Sequence, residues 1–185
     1  RTHALALLGE VGDLDAIERM CVMPNTAAEI DRIQQAIGRI MLRPTNLLSM
    51  RPDHFEVFIS HFLRKLEHYE VEVIGRVGDD GVDLKSCQRR NNAKGPSDER
   101  WAVQCKRWAT RKVSAAEVRA FVETSREEKF NAKHALFITT SDFTREAHAF
   151  AEANSSAVEL MSGKELIAAL NKHFGAGRYT IRSRE

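Results

Sequence analysis

The chain has 185 residues, of which 43% are apolar and 29% are charged, as in ordinary globular proteins that bury a core. No stretch approaches the roughly 20 consecutive apolar residues that cross a bilayer, so no membrane-spanning segment is expected. The three cysteines are odd in number and lack Cys-x-x-Cys spacing. They therefore argue against a disulfide framework and a structural zinc site, and they favour a cytoplasmic location.

Positive charge is concentrated in one part of the chain. The formal net charge is only +2, but nine basic and two acidic residues lie between Lys85 and Lys112. This local surplus suits a polyanion such as a nucleic acid. A solvated basic loop is the alternative, and charge alone does not separate the two.

The first fifty residues are predicted to form a helical segment. A short apolar run spans residues 4–8, and a second helix is expected from Thr26 to Leu42, where Pro44 ends it. Within residues 4–20, the string Ala-Leu-Leu-Gly-Glu-Val-Gly-Asp-Leu-Asp-Ala-Ile-Glu (residues 6–18) resembles part of a HEAT-type helical repeat. This resemblance implies a helical-repeat region upstream, from which the chain beginning at Arg1 would be an excised or processed piece.

Regular patterns begin at Pro52. Apolar residues recur at three- and four-residue intervals from Phe55 to Leu66 and predict an amphipathic helix, with Asp53 and Glu56 spaced as a start signal. Three strands should follow, at Tyr69–Val73, Val82–Cys87 and Trp101–Arg107, with a polar, basic loop over Gln88–Arg100.

The second half of the chain alternates helices with strands. Two helices should begin with capping boxes, at Ser114 with Glu117 and at Ser162 with Glu165. Between them, Ser141 or Asp142 is expected to cap a helix that reaches about Ala153. Strands are expected at Ala135–Thr139 and Val158–Met161.

The resulting order, α-β-β-β-α-β-α-β-α, predicts an α/β fold in which helices flank a mixed β-sheet. We expect residues 1–50 to be a helical N-terminal segment, residues 51–174 to form the main domain, and residues 175–185 to be a C-terminal tail.

Three polar residues in the predicted sheet indicate chemistry. Side chains alternate along a strand, so Gln104 and Lys106 share one face of the strand Trp101–Arg107, and Asp83 lies on the preceding strand. Buried polar groups are costly unless they have partners, so the three should converge. A buried structural ion pair is one interpretation. The other is a phosphodiester-hydrolysing site, because carboxylate and amide oxygens suit Mg²⁺ or Mn²⁺.

The segments Gly81-Val82-Asp83-Leu84 and Val103-Gln104-Cys105-Lys106-Arg107-Trp108 resemble the Mrr-like branch of the PD-(D/E)xK restriction endonucleases. The similarity covers residues 52–170. It implies a restriction-endonuclease-like fold with Asp83, Gln104 and the main-chain carbonyl of Cys105 as metal ligands. It also implies that Lys106 is the catalytic lysine and that Glu56 supports a metal, although a capping role competes for Glu56. The neutral Gln104 leaves one-metal and two-metal chemistry open.

Several further residues are predicted to contact DNA. Four of them continue directly from the catalytic strand, and Arg89 and Arg90 lie in the predicted basic loop. Ser141 and Thr144 precede a helix, where phosphate binding and simple N-capping are both open. The four on the strand extension are Arg107, Trp108, Arg111 and Lys112.

The resemblance implies a Mg²⁺-dependent endonuclease that cuts double-stranded DNA in restriction or defence, as a homodimer when both strands are cut. A repair or junction-resolving nuclease is one alternative. A DNA-binding module with a degenerate site is another, since Gln104 stands where an acid is common. A further alternative, an effector domain attached to a helical-repeat sensor, is compatible with the restriction endonuclease. The sequence shows neither the recognition site nor whether modified bases are required.

Overall fold

The structure is a computed structural model, and it describes residues 45–74, 81–92 and 95–182. The two helices expected before Pro44 lie outside the described residues, as does the HEAT-type resemblance. Within the described residues, no helix has the length and apolarity to cross a membrane.

Four helices and seven strands follow one another along the described chain. The strands are β1 (Thr45–Asn46), β2 (Tyr69–Val73), β3 (Leu84–Asn92), β4 (Gly95–Lys106), β5 (His134–Thr139), β6 (Val158–Met161) and β7 (Tyr179–Thr180). The helices are α1 (Pro52–Lys65), α2 (Ala115–Ser125), α3 (Arg145–Ala153) and α4 (Gly163–Phe174), and a short 3-10 helix (Leu47–Ser49) precedes α1.

The main sheet has five strands in the order β2-β3-β4-β5-β6. The β2–β3 and β3–β4 pairs are antiparallel, whereas the β4–β5 and β5–β6 pairs are parallel. The predicted mixed sheet is therefore confirmed. Its parallel half places the carboxyl ends of β4 and β5 side by side, with Lys106 paired to Thr139.

Helices cover both faces of the sheet, as predicted. On one face, α1 and α4 pack against Leu84, Val103 and Ile138. On the other face, α2 and α3 pack against Ala102 and Phe137. Fully burying a large apolar side chain contributes about 1.5–3 kcal/mol, so these two cores hold the sheet between two layers of helix.

Of the three helix caps predicted after residue 110, two are present and one is wrong. The capping boxes of Ser114 with Glu117 and of Ser162 with Glu165 are both present. The predicted cap of α3 at Ser141 or Asp142 is wrong, because Thr144 caps this helix and its hydroxyl accepts from the Ala147 amide.

The predicted loop Gln88–Arg100 is wrong. These residues extend β3 and β4 into a long hairpin, with pairs that run from Leu84–Val103 to Asn92–Gly95. The hairpin is polar because much of its surface is exposed, so it has no apolar alternation to reveal it. Its buried carboxylate, Glu99, is satisfied by His134 Nε2 at 2.6 Å and by Lys133.

A second, two-stranded sheet was not predicted. In it, β1 pairs in parallel with β7. The Asn46 amide group exchanges two hydrogen bonds with the main chain of Arg182, at 2.8 and 3.0 Å. Tyr179 is only 1% exposed and belongs to the α1–α4 core. The chain after α4 therefore contributes to packing, while the predicted boundaries at residues 50 and 174 stay predictions.

Candidate active site

Asp83 lies at the start of β3, and the main chain of β4 holds it at two points. Its amide donates to the Val103 carbonyl at 2.9 Å. Its carboxylate Oδ2 accepts from the Cys105 amide at 2.7 Å. A carboxylate bonded to a strand amide has little freedom to rotate, so its position is set by the β3–β4 register.

Gln104 lies beside the turn that enters β3. Its side chain is on the α2 face of β4, and the residue is 7% exposed. A Cβ atom added to Gly81 would come within 2.7 Å of the Gln104 Nε2 atom, and Gly81 has φ +89°. The positive φ favours glycine at this position, and any larger residue would also displace the Gln104 amide. The turn and the amide are therefore in direct contact.

Glu56 lies in α1 and does not cap that helix. The helix begins at Pro52 after Arg51, without a side-chain cap, and the carboxylate of Asp53 binds the Arg51 guanidinium. The capping interpretation of Glu56 is therefore wrong. Half-burial, and after it the charge of Asp83, raise the pKa of Glu56 from 4.5 to about 7, against the opposing charge of Lys106. Glu56 thus shares one electrostatic environment with Asp83 and Lys106.

Lys106 is the last residue of β4 and faces carboxylates from two helices. Its positive charge acts on Glu56 of α1 and also on Glu117 of α2. Burial acts to raise the pKa of Glu117, but hydrogen bonds from Ser114 and the charges of Arg111 and Lys106 hold it below its usual value. Asp83 and Lys106 therefore both act on Glu56, and Asp83 is bonded to the main chain beside Gln104, while the roles predicted for these four residues stay predictions. Glu117 adds a further carboxylate near Lys106.

The donor set fits a hard divalent cation. It comprises two carboxylates and one amide oxygen. The two carboxylates are half-buried and close enough for their negative charges to repel each other unless a cation or a proton is near. Within residues 45–74, 81–92 and 95–182, no group of three or more His, Cys, Asp and Glu side chains is placed to hold a metal. Cys105 turns its side chain into the α1–α4 core, and its carbonyl stays a predicted ligand.

The basic residues around the site are engaged within the chain. Arg107 Nη1 donates to the Leu48 carbonyl at 2.9 Å, which turns this side chain towards the protein. The Arg111 guanidinium lies 4.2 Å from the centre of the Trp108 ring and is paired with Glu117 at 2.7 Å. These contacts leave the Trp108–Arg111 pair at the surface beside Lys106.

The remaining predicted DNA contacts lie at three places. Lys112 pairs with Asp142 at 3.0 Å on the same side as Arg111. In the hairpin, Arg89 is exposed, whereas Arg90 lies over Trp101 and pairs with Glu159 at 3.2 Å. The hydroxyl groups of Ser141 and Thr144 have partners inside the chain, the Arg111 carbonyl at 2.6 Å and the Ala147 amide at 3.3 Å.

Two features of the site escaped the sequence analysis. Glu117 was identified only as a capping residue, and its proximity to Lys106 depends on how α2 packs on the sheet. The hydroxyl groups of Thr139 and Thr140 donate to the carbonyls of Lys106, at the end of β4, and of Trp108, just beyond it, and only the β4–β5 register reveals these contacts. The contact between Gly81 and Gln104 could have been suspected, because glycine lies two residues before Asp83 at a strand entrance.

Comparisons with known proteins identify the family and the fold of the chain. The profile of the restriction endonuclease family Mrr_cat matches residues 47–170. A methyl-directed type IV restriction enzyme of Escherichia coli strain K12, EcoKMrr, is 32% identical over 146 residues, which cover 74% of this chain and 45% of that enzyme. The HEAT-type resemblance finds no support in them.

Two solved structures have a similar fold. The modification-dependent restriction endonuclease AspBHI matches with a TM-score of 0.57 and 17% identity, covering 84% of this chain and 38% of that one. MspJI, determined in complex with a 27-mer oligonucleotide, matches with a TM-score of 0.50 and 20% identity, covering 87% and 39%. The chain thus spans less than half of each relative. By its profile and its enzyme relative, it belongs to the Mrr restriction endonuclease family.

Proposed function

We propose that the chain is the catalytic part of a Mg²⁺-dependent endonuclease that hydrolyses phosphodiester bonds of double-stranded DNA, in restriction or defence in the cytoplasm. The observation that carries this proposal is the hydrogen bond that fixes the Asp83 carboxylate against β4. The Cys105 amide holds the Asp83 carboxylate at 2.7 Å, one residue from Gln104 and Lys106 on β4. In a member of the restriction endonuclease family, such a cluster at one strand end supports a hydrolytic centre.

We assign the cation to Asp83, Gln104, the Cys105 carbonyl and Glu56. When bound, Mg²⁺ or Mn²⁺ would supply Lewis-acid polarisation of the scissile phosphate. Lys106 orients the attacking water and stabilises the negative charge that develops on the phosphate oxygens. The neutral Gln104 lowers the negative charge of the site, which favours one cation over two.

The surface beside the site suits a DNA strand. In the segment that follows Lys106, the exposed Arg111 stacks on the half-buried ring of Trp108, and the exposed Lys112 comes next. A flat aromatic ring under a guanidinium can contact a base or sugar while the guanidinium contacts a phosphate. The hairpin residues Arg89 and Arg90 lie towards the other end of the β3–β4 pair, opposite Asp98 and Ser97, and we propose them as separate contacts with the DNA backbone.

The substrate is proposed to be modified DNA. The Escherichia coli relative is described as methyl-directed and the AspBHI relative as dependent on DNA modification. Because this chain spans less than half of either, we assign to the described domain the cleavage step alone.

Plasmid cleavage tests this function. Unmodified and methylated supercoiled plasmids are incubated with the protein in Mg²⁺, in Mn²⁺ and in EDTA, beside a synthetic four-way junction. The proposal predicts nicked or linear products that require the cation. Cutting of the junction alone would identify a junction-resolving enzyme instead. Binding without cutting in either metal would favour the DNA-binding module that the neutral Gln104 leaves possible.

We also propose that the enzyme acts as a homodimer when it cuts both strands, because each active site cleaves one strand. Sedimentation with and without a duplex of uniform length tests this. A dimer on DNA that produces linear plasmid agrees with the proposal, and a monomer that produces only nicks contradicts it.

A further inference from the structure

Three consecutive hydroxyl residues bond to the chain that leaves the catalytic strand. Thr139 Oγ1 donates to the Lys106 carbonyl at 2.9 Å. Thr140 Oγ1 donates to the Trp108 carbonyl at 2.8 Å, and Ser141 Oγ donates to the Arg111 carbonyl at 2.6 Å. We call these residues, Thr139–Ser141, the hydroxyl run. Its three bonds span the whole segment from the catalytic lysine to the exposed arginine.

The first bond fixes the main chain at Lys106. Lys106 and Thr139 are paired at the ends of β4 and β5. The Lys106 carbonyl accepts both the Thr139 hydroxyl and, at 3.1 Å, the Thr140 amide. Thr139 is fully buried and its hydroxyl also accepts from the Ser141 amide at 3.1 Å. These two donors to one carbonyl hold the last residue of β4 in one orientation.

The other two bonds fix the loop that follows. They hold the carbonyls of Trp108 and Arg111, whose side chains stack at 4.2 Å. Behind the hydroxyl run, the Gly163 amide donates to the Ser141 carbonyl at 2.8 Å, so α4 supports the run from its other side. The loop is therefore anchored to the sheet although its tip is exposed.

We propose that Thr139 is a positioning residue for the catalytic Lys106, and that Thr140 and Ser141 are positioning residues for the Trp108–Arg111 surface that contacts DNA. The inference rests on the proposed function. It assigns the Thr139 hydroxyl to the cleavage step and the hydroxyls of Thr140 and Ser141 to DNA binding. Loss of the Thr139 hydroxyl acts on the rate of cleavage, because the lysine carries the chemistry. Loss of the Thr140 hydroxyl acts on DNA affinity, because the loop carries the contacts.

Thr139→Val and Thr140→Val test this division, because valine keeps the shape of threonine and removes the hydroxyl. Thr180→Val in β7 is the matched control. The single-turnover rate at saturating DNA is measured in Mg²⁺, and the dissociation constant is measured in EDTA. We expect Thr139→Val to slow cleavage by about tenfold or more with unchanged affinity. We expect Thr140→Val to weaken binding about fivefold, the effect of losing one hydrogen bond, with an unchanged saturating rate.

Thr139→Ser separates positioning from packing. Serine keeps the hydroxyl but removes a buried methyl, so it costs stability while restoring the rate. The inference is overturned if the serine variant is slower than the valine variant. It is also overturned if the rate and affinity of both valine variants fall together, in proportion to their loss of stability.

A fluorescence measurement tests the loop without any reference to cleavage. The chain has two tryptophans, and Trp101 is only 2% exposed, so acrylamide quenching reports mainly on Trp108. Thr140→Val should increase quenching, whereas Thr180→Val should not. If the natural protein cuts no DNA, the proposed function fails and this measurement still decides whether Thr140 anchors the loop. Unchanged quenching by Thr140→Val contradicts the anchoring.

Discussion

At the level of single residues, the Asp83 carboxylate lies beside the end of β4 that carries Lys106, because β3 begins opposite Val103. The alternation of side chains along β4 was enough to predict that Gln104 and Lys106 share a face. The bond from the Cys105 amide to Asp83 was not predictable, because it depends on the register between β3 and β4. The same holds for Glu56, whose approach to Asp83 depends on how α1 packs.

Lys106→Ala separates chemistry from binding. Removing the ammonium should lower the single-turnover rate by about 100-fold or more, as for other losses of transition-state charge stabilisation. DNA affinity should change little, because the exposed basic residues of the loop remain. The matched control is Lys112→Ala, which should weaken binding and reduce its salt dependence by about one counterion. Equal loss of affinity in both variants would contradict the assignment of Lys106 to catalysis.

Asp142 is expected to limit DNA affinity. Its carboxylate pairs with Lys112 at 3.0 Å, and both side chains are more than half exposed, so the pair itself contributes at most about 1 kcal/mol to stability. Asp142→Asn removes a negative charge beside the basic loop and leaves Lys112 available to a phosphate. Binding should become tighter and more dependent on salt, as measured by fluorescence anisotropy. Glu127→Gln, which removes the partner of Lys129 away from the site, should leave affinity unchanged.

At the level of elements, local sequence signals predicted helix starts correctly, whereas pairings between distant segments were missed. The capping boxes at Ser114 and Ser162 each need only four neighbouring residues, so the starts of α2 and α4 were predicted correctly. The extended hairpin and the β1–β7 pair were missed. Asn46 and Arg182, which bond to each other beside β1 and β7, are 136 residues apart, and nothing in either segment alone indicates the pairing.

Gly163 shows how closely two elements approach. A Cβ atom there would lie 2.3 Å from the Thr140 carbonyl oxygen, which is main chain and cannot move aside easily. Gly163→Ala should therefore destabilise the protein by about 1–3 kcal/mol, the usual cost of overpacking. Urea unfolding measures this change. The neighbouring exposed residue gives the control, Lys164→Ala, which should stay within about 0.5 kcal/mol of the natural protein. A neutral Gly163→Ala would mean that α4 can shift away from the hydroxyl run.

At the level of the whole molecule, the two ends of β4 have different tasks. Lys106 lies at one end with the candidate site. Glu99 lies seven residues away towards the other end, about 23 Å along an extended strand. There it is buried and bonded to Lys133 and His134, which lower the pKa of Glu99 to about 2. Stability and catalysis can therefore be tested at separate places in one strand.

The Glu99 carboxylate should stabilise the fold in a defined range of pH. Its pKa is lower in the folded chain than the usual 4.5, so the stabilisation is complete above about pH 4.5 and disappears as the pH falls towards 2. Glu99→Gln should lower the urea midpoint at pH 7, and the difference from the natural protein should narrow below pH 4.5. Glu128→Gln, an exposed neutralisation, is the control. A difference that stays constant down to pH 3 would contradict the ion-pair origin of the effect.

The account depends most directly on Asp83 acting as an essential ligand in a cation-dependent nuclease. The measurement is single-turnover cleavage of plasmid in Mg²⁺ by the natural protein and by Asp83→Asn, which keeps the size of the side chain and an acceptor for the Cys105 amide. Asp98→Asn, in the exposed part of β4, is the control. The account predicts that Asp83→Asn binds DNA and cuts none, while the control cuts normally. Cleavage by Asp83→Asn at the natural rate would contradict it.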